Sequence, residues 1–126
     1  MIIQSTIKLY CDGGTRGSVV CVHDPQRDRS YVKKRTSIQP FTNNDLEYLG
    51  VIYALEYARH YYPRRKILLI SDSQLIVNHI NGKFKCNIPN LQRLLSIVQK
   101  KMKKGDKIRW VPRTKNLAGC HLEQFY

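Results

Sequence analysis

Apolar and polar residues alternate along the first segment of the chain, from residue 3 to residue 11. A period of two residues is typical of a β-strand with one buried face. The alternation puts Leu9 and Cys11 on one face of this strand and Asp12 on the other. We predict that the strand ends at Asp12, because Gly13 and Gly14 let the backbone turn sharply beside the carboxylate.

Two further strands are predicted over Ser18–His23 and around Arg29–Thr36. The polar segment Asp24–Asp28 lies between them and contains a proline and two aspartates, residues that favour a turn. The first three strands are therefore expected to form an antiparallel meander.

A long helix is predicted from Asp45 to about Tyr62, where Pro63 ends it. Residues 42–44, Thr-Asn-Asn, are of the types that cap a helix. After this helix, Lys66–Ser71 is a short and almost uninterrupted apolar run. Such a run predicts a central strand that is covered on both faces and lies parallel to a neighbour.

The rest of the chain is predicted to contain helices over Ser73–Asn81 and Pro89–Lys104, a fifth strand over Lys107–Val111 and a short helix from Asn116. The helix from Pro89 carries an apolar stripe that indicates core packing and consists of Leu91, Leu94, Leu95, Val98 and Met102. The element order is thus βββαβααβα. It predicts one α/β domain over residues 1–126, with a five-stranded mixed sheet (three antiparallel strands, then two parallel ones) flanked by helices.

The composition is that of a globular protein, but its charge balance is unusual. Among 126 residues, 22 Lys and Arg stand against 9 Asp and Glu, which gives a formal net charge of +13. This excess favours a polyanionic partner, and nucleic acid is the first candidate. A merely solubilising basic surface is the alternative. An anionic membrane is less favoured, because no segment is both strongly amphipathic and basic on one face.

The cysteines indicate a reducing compartment. Cys11, Cys21, Cys86 and Cys120 lack the paired close spacing of zinc sites. The amino terminus does not have the pattern of a signal peptide, and no apolar run reaches the roughly 18 residues that a membrane span needs. We therefore expect reduced thiols in a soluble, cytoplasmic, monomeric protein with no membrane partner.

Three of the nine acidic residues stand where a solvated surface charge is not expected. Glu47 shares a helix face with the apolar residues at positions 51, 54, 55 and 58, so its carboxylate is directed at the sheet. Asp72 directly follows the buried strand, at the edge where open α/β sheets bind ligands. If the first and fourth strands are neighbours, Asp12 lies beside Asp72 and Glu47. A site with three carboxylates suits Mg²⁺ or Mn²⁺.

Each of these carboxylates alone has a structural alternative. Asp12 is also a common turn residue, and Asp72 is placed to cap the helix that begins at Ser73. Glu47 would be explained by a salt bridge to a Lys or Arg. The structural alternatives are favoured for either aspartate taken alone, but three carboxylates on converging elements of a strongly basic chain favour a metal site.

The sequence resembles type 1 ribonuclease H in four motifs that follow the order and spacing of that family. They are YCDGG at residues 10–14, TNNDLE at 42–47, SDSQ at 71–74, and WVPR at 110–113 followed by Asn116. Each motif alone is weak, but the resemblance covers nearly the whole chain, and the predicted element order is also that of the family's fold.

The resemblance implies an endonuclease that hydrolyses the RNA strand of RNA/DNA hybrids and leaves 5′-phosphomonoesters. It implies Asp12, Glu47 and Asp72 as catalytic ligands of two metal ions about 4 Å apart. One ion helps to generate the attacking hydroxide, and the other stabilises the leaving 3′ oxygen.

The resemblance also implies a set of substrate contacts. Asn43, Asn44 and Gln74 match positions that contact 2′-hydroxyls, and Thr42 matches a phosphate contact to the DNA strand. Gly13, Arg113 and Lys115 complete the expected substrate-binding set. The structural alternatives are helix capping for the two asparagines and an exposed helix position for Gln74.

The chain departs from the family at the fourth acidic position, which is Cys120 here. A thiol is a poor ligand for the hard Mg²⁺ ion. Glu123 lies about one helical turn beyond Cys120 on nearly the same face, and we expect it to serve as the fourth catalytic metal ligand. The alternative is an ordinary solvated Glu near the chain end.

A second departure concerns the segment between Gly82 and Pro89, which leaves no room for the basic protruding helix of some relatives. We therefore expect Lys83, Lys85, Arg113 and Lys115 to hold the hybrid, with Phe84 against a sugar. The basic run at residues 100–104 is interpreted as a solvated helix end. The alternatives to a ribonuclease that cleaves RNA/DNA hybrids are a catalytically weakened nucleic-acid-binding module and another nuclease of the same superfamily.

Overall fold

A computed structural model of the chain describes residues 6–14, 18–35 and 41–122, with side chains as far as Gly119. Five strands and four α-helices follow one another in these residues, in the predicted order βββαβααβα. They are β1 (Ile7–Gly14), β2 (Val19–Asp24), β3 (Arg29–Lys34), α1 (Asn43–Tyr61), β4 (Ile67–Ser71), α2 (Gln74–Ile80), α3 (Pro89–Lys101), β5 (Lys107–Trp110) and α4 (Leu117–Leu122).

The strands form one mixed sheet in the order β3-β2-β1-β4-β5. β1 lies at its centre, antiparallel to β2 and parallel to β4, and β5 continues the parallel half beside β4. The predicted fold class, three antiparallel strands followed by two parallel ones, is confirmed. The prediction that the first and fourth strands are neighbours is confirmed as well.

Each face of β1 contributes to a different apolar cluster. Ile7, Leu9 and Cys11 belong to the larger core, together with residues of α1, α2 and α3. Tyr10, on the opposite face, packs against a smaller cluster of Val19, Cys21 and Ala118, the last of which belongs to α4. The alternation of side chains along a strand thus places three helices on one face of the sheet and α4 on the other.

Helix α1 begins two residues earlier than predicted, after Thr42. The Thr42 hydroxyl accepts a hydrogen bond from the Asp45 amide at 3.1 Å, and the Asp45 carboxylate accepts one from the Thr42 amide at 2.9 Å. This reciprocal pair satisfies two otherwise free donors at the helix start. Asp45 also accepts a hydrogen bond from Asn90 at 2.6 Å, which ties the start of α1 to α3.

Three local predictions differ from the structure. β1 continues through Gly13 and Gly14, and neither glycine has a positive φ, so the predicted sharp turn at these residues is wrong. α3 ends at Lys101 instead of Lys104, because the chain turns at Gly105 (φ +93°) and the Lys103 amide donates to Asp106. A short 3₁₀ helix, Arg113–Lys115, precedes α4 and was not predicted.

The connection from α2 to α3, residues 81–88, contains no helix. Its residues Lys83, Phe84 and Lys85 are exposed. Within the described ranges, none of the helices combines the length and the apolar character that a membrane span requires. Thr36 and Glu123, two residues named in the sequence predictions, lie outside the described residues.

Candidate metal centre

Two aspartates of the candidate site come from the carboxyl ends of neighbouring parallel strands. Tyr10 of β1 is level with Ile70 of β4, so Asp12 and Asp72 each lie two residues beyond this pair. Parallel strands end at the same edge of a sheet, and the pairing therefore brings both carboxylates to one place.

The third carboxylate, Glu47, reaches the aspartates because α1 lies unusually close to β1. A Cβ atom on Gly13 would be 2.2 Å from the Leu46 carbonyl oxygen, and one on Gly50 would be 2.8 Å from the Asp12 carbonyl oxygen. No real side chain tolerates such distances. The two glycines therefore permit the main-chain contact that presents Glu47 to the end of β1.

Asp12, Glu47 and Asp72 form a compact cluster in which one oxygen of each residue lies within 4.8 Å of the others. Asp12 and Glu47 are buried, at 8% and 6% exposure, and Asp72 is partly buried. These are the three carboxylates predicted from the sequence. The structure brings all three together.

The cluster is electrostatically unfavourable without a cation. Burial raises the pKa of Asp12 to about 6, and the charge of Asp72 contributes to the increase. Burial also raises the pKa of Glu47, and the charges of Asp12 and Asp72 add to it. The pKa of Asp72 is raised by burial as well, although the positive charge of Arg113 acts in the opposite direction. Like charges held together in a poorly solvated site resist ionisation unless a positive charge compensates them.

One atom in the cluster indicates that a cation fits. Glu47 Oε2 is buried and has no hydrogen-bond partner among the described residues. An unsatisfied carboxylate oxygen in such a place carries a desolvation cost of several kcal/mol unless a ligand compensates it. Buried carboxylates that are not paired with basic side chains commonly coordinate metals, and oxygen ligands suit hard divalent cations. The donor set is therefore compatible with a divalent metal ion.

Asn116 organises the main chain around the cluster and was not predicted as a site residue. It is fully buried; its Nδ2 donates to the Cys11 carbonyl at 3.0 Å, and its Oδ1 accepts from the Ala118 amide at 3.1 Å. A hydrogen bond from Asn116 also lowers the pKa of Asp72. The sequence signal for this role is an asparagine directly before a helix, a position that favours capping.

The start of α4 lies directly against the two aspartates. A Cβ atom on Gly119 would be 2.9 Å from Asp12 Oδ2 and 3.5 Å from Asp72 Oδ2. The next residue is Cys120, where the family has its fourth acid. The position of α4 agrees with a ligand on this helix, but Glu123 itself lies outside the described residues and stays a prediction.

Trp110 is a second residue near the cluster that was not predicted as a site residue. It ends β5, its side chain is 39% exposed, and its Nε1 donates to the Asp72 carbonyl at 3.1 Å. This hydrogen bond holds the main chain of a candidate metal ligand. A single Trp at the end of a predicted strand was the available signal.

A family model described as reverse transcriptase-like matches residues 9–121 of the chain. This protein belongs to that family, within the RNase H-like superfamily. The resemblance to ribonuclease H that the four motifs indicated is therefore confirmed. A search of curated proteins finds no match to the chain.

Solved structures agree with this family assignment. The chain is similar to RNase H1 from the halophilic archaeon Halobacterium salinarum NRC-1, with 27% identity, 94% of each chain covered and a TM-score of 0.80. It is similar to the N-terminal RNase H domain of a Mycobacterium tuberculosis protein, with 26% identity, 94% of this chain and 96% of that chain covered, and a TM-score of 0.72. The fold and these relatives support a nuclease.

The same fold occurs in LC11-RNase H1 in complex with an RNA/DNA hybrid. The identity is 24%, 93% of each chain is covered, and the TM-score is 0.75. At this identity the likeness extends to the fold alone.

The substrate-binding residues predicted for this RNase H-like protein lie on elements that surround the carboxylates. Thr42 is exposed and uses its hydroxyl to cap α1, while Asn43 and Asn44 occupy the first turn of that helix. Capping was the structural alternative for the two asparagines, but the residue that caps α1 is Thr42. Gln74 is exposed at the start of α2.

The predicted basic contacts are also exposed. Arg113 and Lys115 belong to the 3₁₀ helix before α4. Arg113 is close enough to lower the pKa of both Asp12 and Asp72 by its charge. Gly13 is buried, and its amide donates to the carboxylates and lowers the pKa of Asp12. The structure thus gives Gly13 a packing role, and its substrate role stays a prediction.

Proposed function

We propose that this protein is an endoribonuclease that hydrolyses the RNA strand of RNA/DNA hybrids with two divalent metal ions. The observation that carries the proposal is the cluster of Asp12, Glu47 and Asp72 at the carboxyl edge of the sheet in a member of the RNase H-like superfamily. A solved relative of the same fold bound to an RNA/DNA hybrid supports the choice of substrate.

Asp12, Glu47 and Asp72 would hold the metal, and Mg²⁺ or Mn²⁺ fits their oxygen ligands. Bound ions of this kind activate a water molecule as the nucleophile and stabilise the leaving 3′ oxygen. The carboxylates must be ionised to bind metal, and their raised pKa values mean that protons compete for the site. Trp110 donates to the main-chain carbonyl of Asp72, and Asn116 donates to the carbonyl of Cys11, the residue before Asp12.

Recognition of the hybrid is assigned to residues around this edge. The amides of Asn43, Asn44 and Gln74 are of a size and polarity suited to contacts with 2′-hydroxyls in a shallow minor groove. Thr42 keeps its predicted phosphate contact. Its hydroxyl also serves the helix cap, where it accepts a hydrogen bond from the Asp45 amide.

Cations complete the proposed substrate surface. Arg113 and Lys115 lie exposed in the 3₁₀ helix before α4, and Lys83 and Lys85 lie exposed in the connection before α3. Together with a net charge of +13, they favour binding to a nucleic-acid backbone. Lys and Arg act here by phosphate neutralisation and counterion release, so binding should weaken as salt concentration rises.

The specific observation that favours a second candidate is Cys120. This thiol stands where the family has its fourth acid, and a chain left with three carboxylates would be a weakened enzyme or a module that only binds duplexes. We propose Glu123 as the replacement ligand, since a glutamate one turn further along the helix recovers part of the lost reach.

The proposal is tested by incubating the protein with a labelled RNA/DNA hybrid, duplex RNA and duplex DNA, each in Mg²⁺ and in Mn²⁺. Cleavage of the RNA strand of the hybrid alone, leaving 5′-phosphates, is expected. Asp72→Asn should abolish turnover because it removes a ligand charge.

The matched control for Asp72→Asn is Asp28→Asn. Asp28 is exposed in the β2–β3 turn with φ +49°, a conformation that asparagine tolerates, so this variant should cleave at the wild-type rate. Binding of the hybrid without cleavage in either metal would favour the binding module and reject the enzyme. Cleavage of duplex DNA instead would favour another nuclease of the superfamily.

A further inference from the structure

A groove with a volume of about 180 Å³ lies between β3, an edge strand of the sheet, and the side of α1. Its strand side carries two cations, Lys33 and Arg35, and its helix side carries Leu49 and Tyr53. Lys33 is exposed, and Arg35 and Tyr53 are partly exposed. The charged and aromatic groups of this β3–α1 groove are therefore accessible to a ligand.

The groove begins beside the sheet edge that carries the carboxylate cluster. Gly13 of β1 pairs with Val20 of β2, and Val20 pairs with Lys33 of β3. Neighbouring strands lie about 4.8 Å apart, so the main chain of Lys33 is about 10 Å from that of Gly13, the residue after Asp12. A nucleic-acid strand that leaves the cluster on this side would meet Lys33 first.

The strand side of the groove is strongly basic. Five of the nine residues from Arg27 to Arg35 are cationic, and Asp28 is the one acid among them. Glu56 also lines the groove, but among the described residues it forms no ion pair with Lys33 or Arg35. Lysines on an edge strand prevent pairing with other chains, which explains part of this charge. It does not explain why cations face an aromatic side chain on the helix.

Aromatic side chains repeat along the helix side. Tyr53, Tyr57 and Tyr61 follow at intervals of four residues on one side of α1, about 6 Å apart along the axis. Tyr57 is buried and belongs to the core. Tyr53 has the Lys33 Nζ 5.6 Å from its ring centroid, and Tyr61, which is 39% exposed, has the Arg27 guanidinium 4.0 Å from its ring centroid. Each accessible ring therefore has a cation beside it.

We propose that the β3–α1 groove binds a single-stranded segment of nucleic acid that continues from the hybrid. Its phosphates would be neutralised by Lys33 and Arg35, and one base would stack on Tyr53. A cationic groove with aromatic rings suits single strands of any sequence, because every base has a π-face. The bases of a duplex are already stacked on one another, so a duplex would use only the cations.

The position of this segment beside the hybrid rests on the proposed function, but its binding does not require cleavage. The test measures fluorescence anisotropy with the whole protein in EDTA at constant ionic strength. The probes are a blunt hybrid, the same hybrid extended by single-stranded RNA or DNA at a 5′ or 3′ end, and the single strands alone. The measured quantity is the extension ratio, defined as Kd for the blunt hybrid divided by Kd for the extended one.

At least one extension should give an extension ratio of about five to ten, the lower part of the range for one base stacked on an aromatic side chain. The extension that gives it identifies the strand and its polarity. Single strands of the same type should bind the protein by themselves. An extension ratio near one for all four extensions would overturn the proposal.

Variants at Lys33 and Tyr53 locate the binding. Lys33→Gln and Tyr53→Leu should both bring the extension ratio close to one, whereas Tyr53→Phe keeps the ring and should keep the ratio. Lys34→Gln is the matched control, because Lys34 is exposed and adjacent on the same strand but lies on the opposite face. Thermal unfolding checks that each variant is folded.

Two further results would overturn the proposal. An equal fall of the extension ratio in Lys33→Gln and Lys34→Gln would indicate a general charge effect, and an unchanged ratio in Tyr53→Leu would show that no base stacks there. Failure of the nuclease proposal gives a different result. The single strands would still bind through Lys33 and Tyr53, but the hybrid would not be cleaved in Mg²⁺ or Mn²⁺.

Discussion

Gly13 lies against the main-chain carbonyl of Leu46, so close that a Cβ atom at Gly13 would be 2.2 Å from that oxygen. This contact sets the distance between β1 and α1 at the position where Glu47 meets Asp12. The geometry of the carboxylate cluster therefore depends on a residue that contributes no side chain to it.

Gly13→Ala should separate the start of α1 from β1 and displace Glu47. We expect a loss of about 1 to 3 kcal/mol in the free energy of unfolding, typical of forced overpacking, together with a large loss of hybrid cleavage. Urea unfolding and single-turnover cleavage measure the two effects.

The control for Gly13→Ala is Gly82→Ala. A Cβ atom at Gly82 has no heavy atom within 4 Å, and its positive φ of +75° costs roughly 1 to 2 kcal/mol for a non-glycine residue. This variant should lose stability while its cleavage rate, measured where both proteins are folded, stays at the wild-type value. Equal cleavage by both variants would contradict the role given to Gly13.

Metal binding should strengthen as pH rises. The pKa of Asp12 is about 6 in the folded protein without metal, above its ordinary value of about 3.9. Its ionisation therefore destabilises the metal-free protein, an effect absent below about pH 4 and complete above about pH 6. A bound cation removes this penalty, so the rise in Tm produced by Mn²⁺ should grow across this interval. The growth should be smaller in Asp12→Asn, where only Glu47 and Asp72 are left to lose protons to the metal.

Thermal unfolding with and without Mn²⁺ at several pH values provides the measurement. Ionic strength is held constant with a monovalent salt. A shift in Tm that is the same at pH 4.5 and pH 7.5 would show that Asp12 does not take part in binding the metal.

Asn116→Ala should disturb both the fold and the site. The substitution leaves the buried carbonyl of Cys11 without its donor and the Ala118 amide without its acceptor. Such losses cost about 1 to 3 kcal/mol each when the partner stays buried. We expect lower stability by urea unfolding and reduced hybrid cleavage.

Asn116→Asp separates the two contacts of Asn116. The aspartate keeps an acceptor for the Ala118 amide but has no donor for Cys11, and it adds a negative charge beside Asp72. Cleavage should therefore stay low although the helix cap is retained. Full activity in this variant would show that the amide group is not required.

The fourth ligand is tested by two substitutions on the last helix. Glu123→Gln should reduce cleavage strongly if Glu123 binds metal, whereas activity near the wild-type level would show that it is dispensable. Cys120→Asp places a carboxylate at the position the family uses, and it should restore cleavage in the Glu123→Gln background. Steady-state rates in Mg²⁺ and Mn²⁺ measure both effects.

The helix and strand order was predictable because it depends on local patterns. The alternation along β1, the apolar run of β4 and the stripe on α3 each report how a segment is buried, and the structure confirms all three. The charge pattern likewise singled out Asp12, Glu47 and Asp72, since carboxylates directed at a buried sheet edge are unusual in any fold.

The sequence by itself determined which elements form and which three carboxylates are unusual, because periodicity and residue type are local properties. Only the tertiary structure decided the distances among those carboxylates, the burial of Asn116, and the packing role of Gly13. Each of these depends on contacts between residues far apart in the chain, such as Asn116 with Cys11 and Gly13 with Leu46. No local pattern encodes such pairings, since they arise when β1, α1 and α4 pack together.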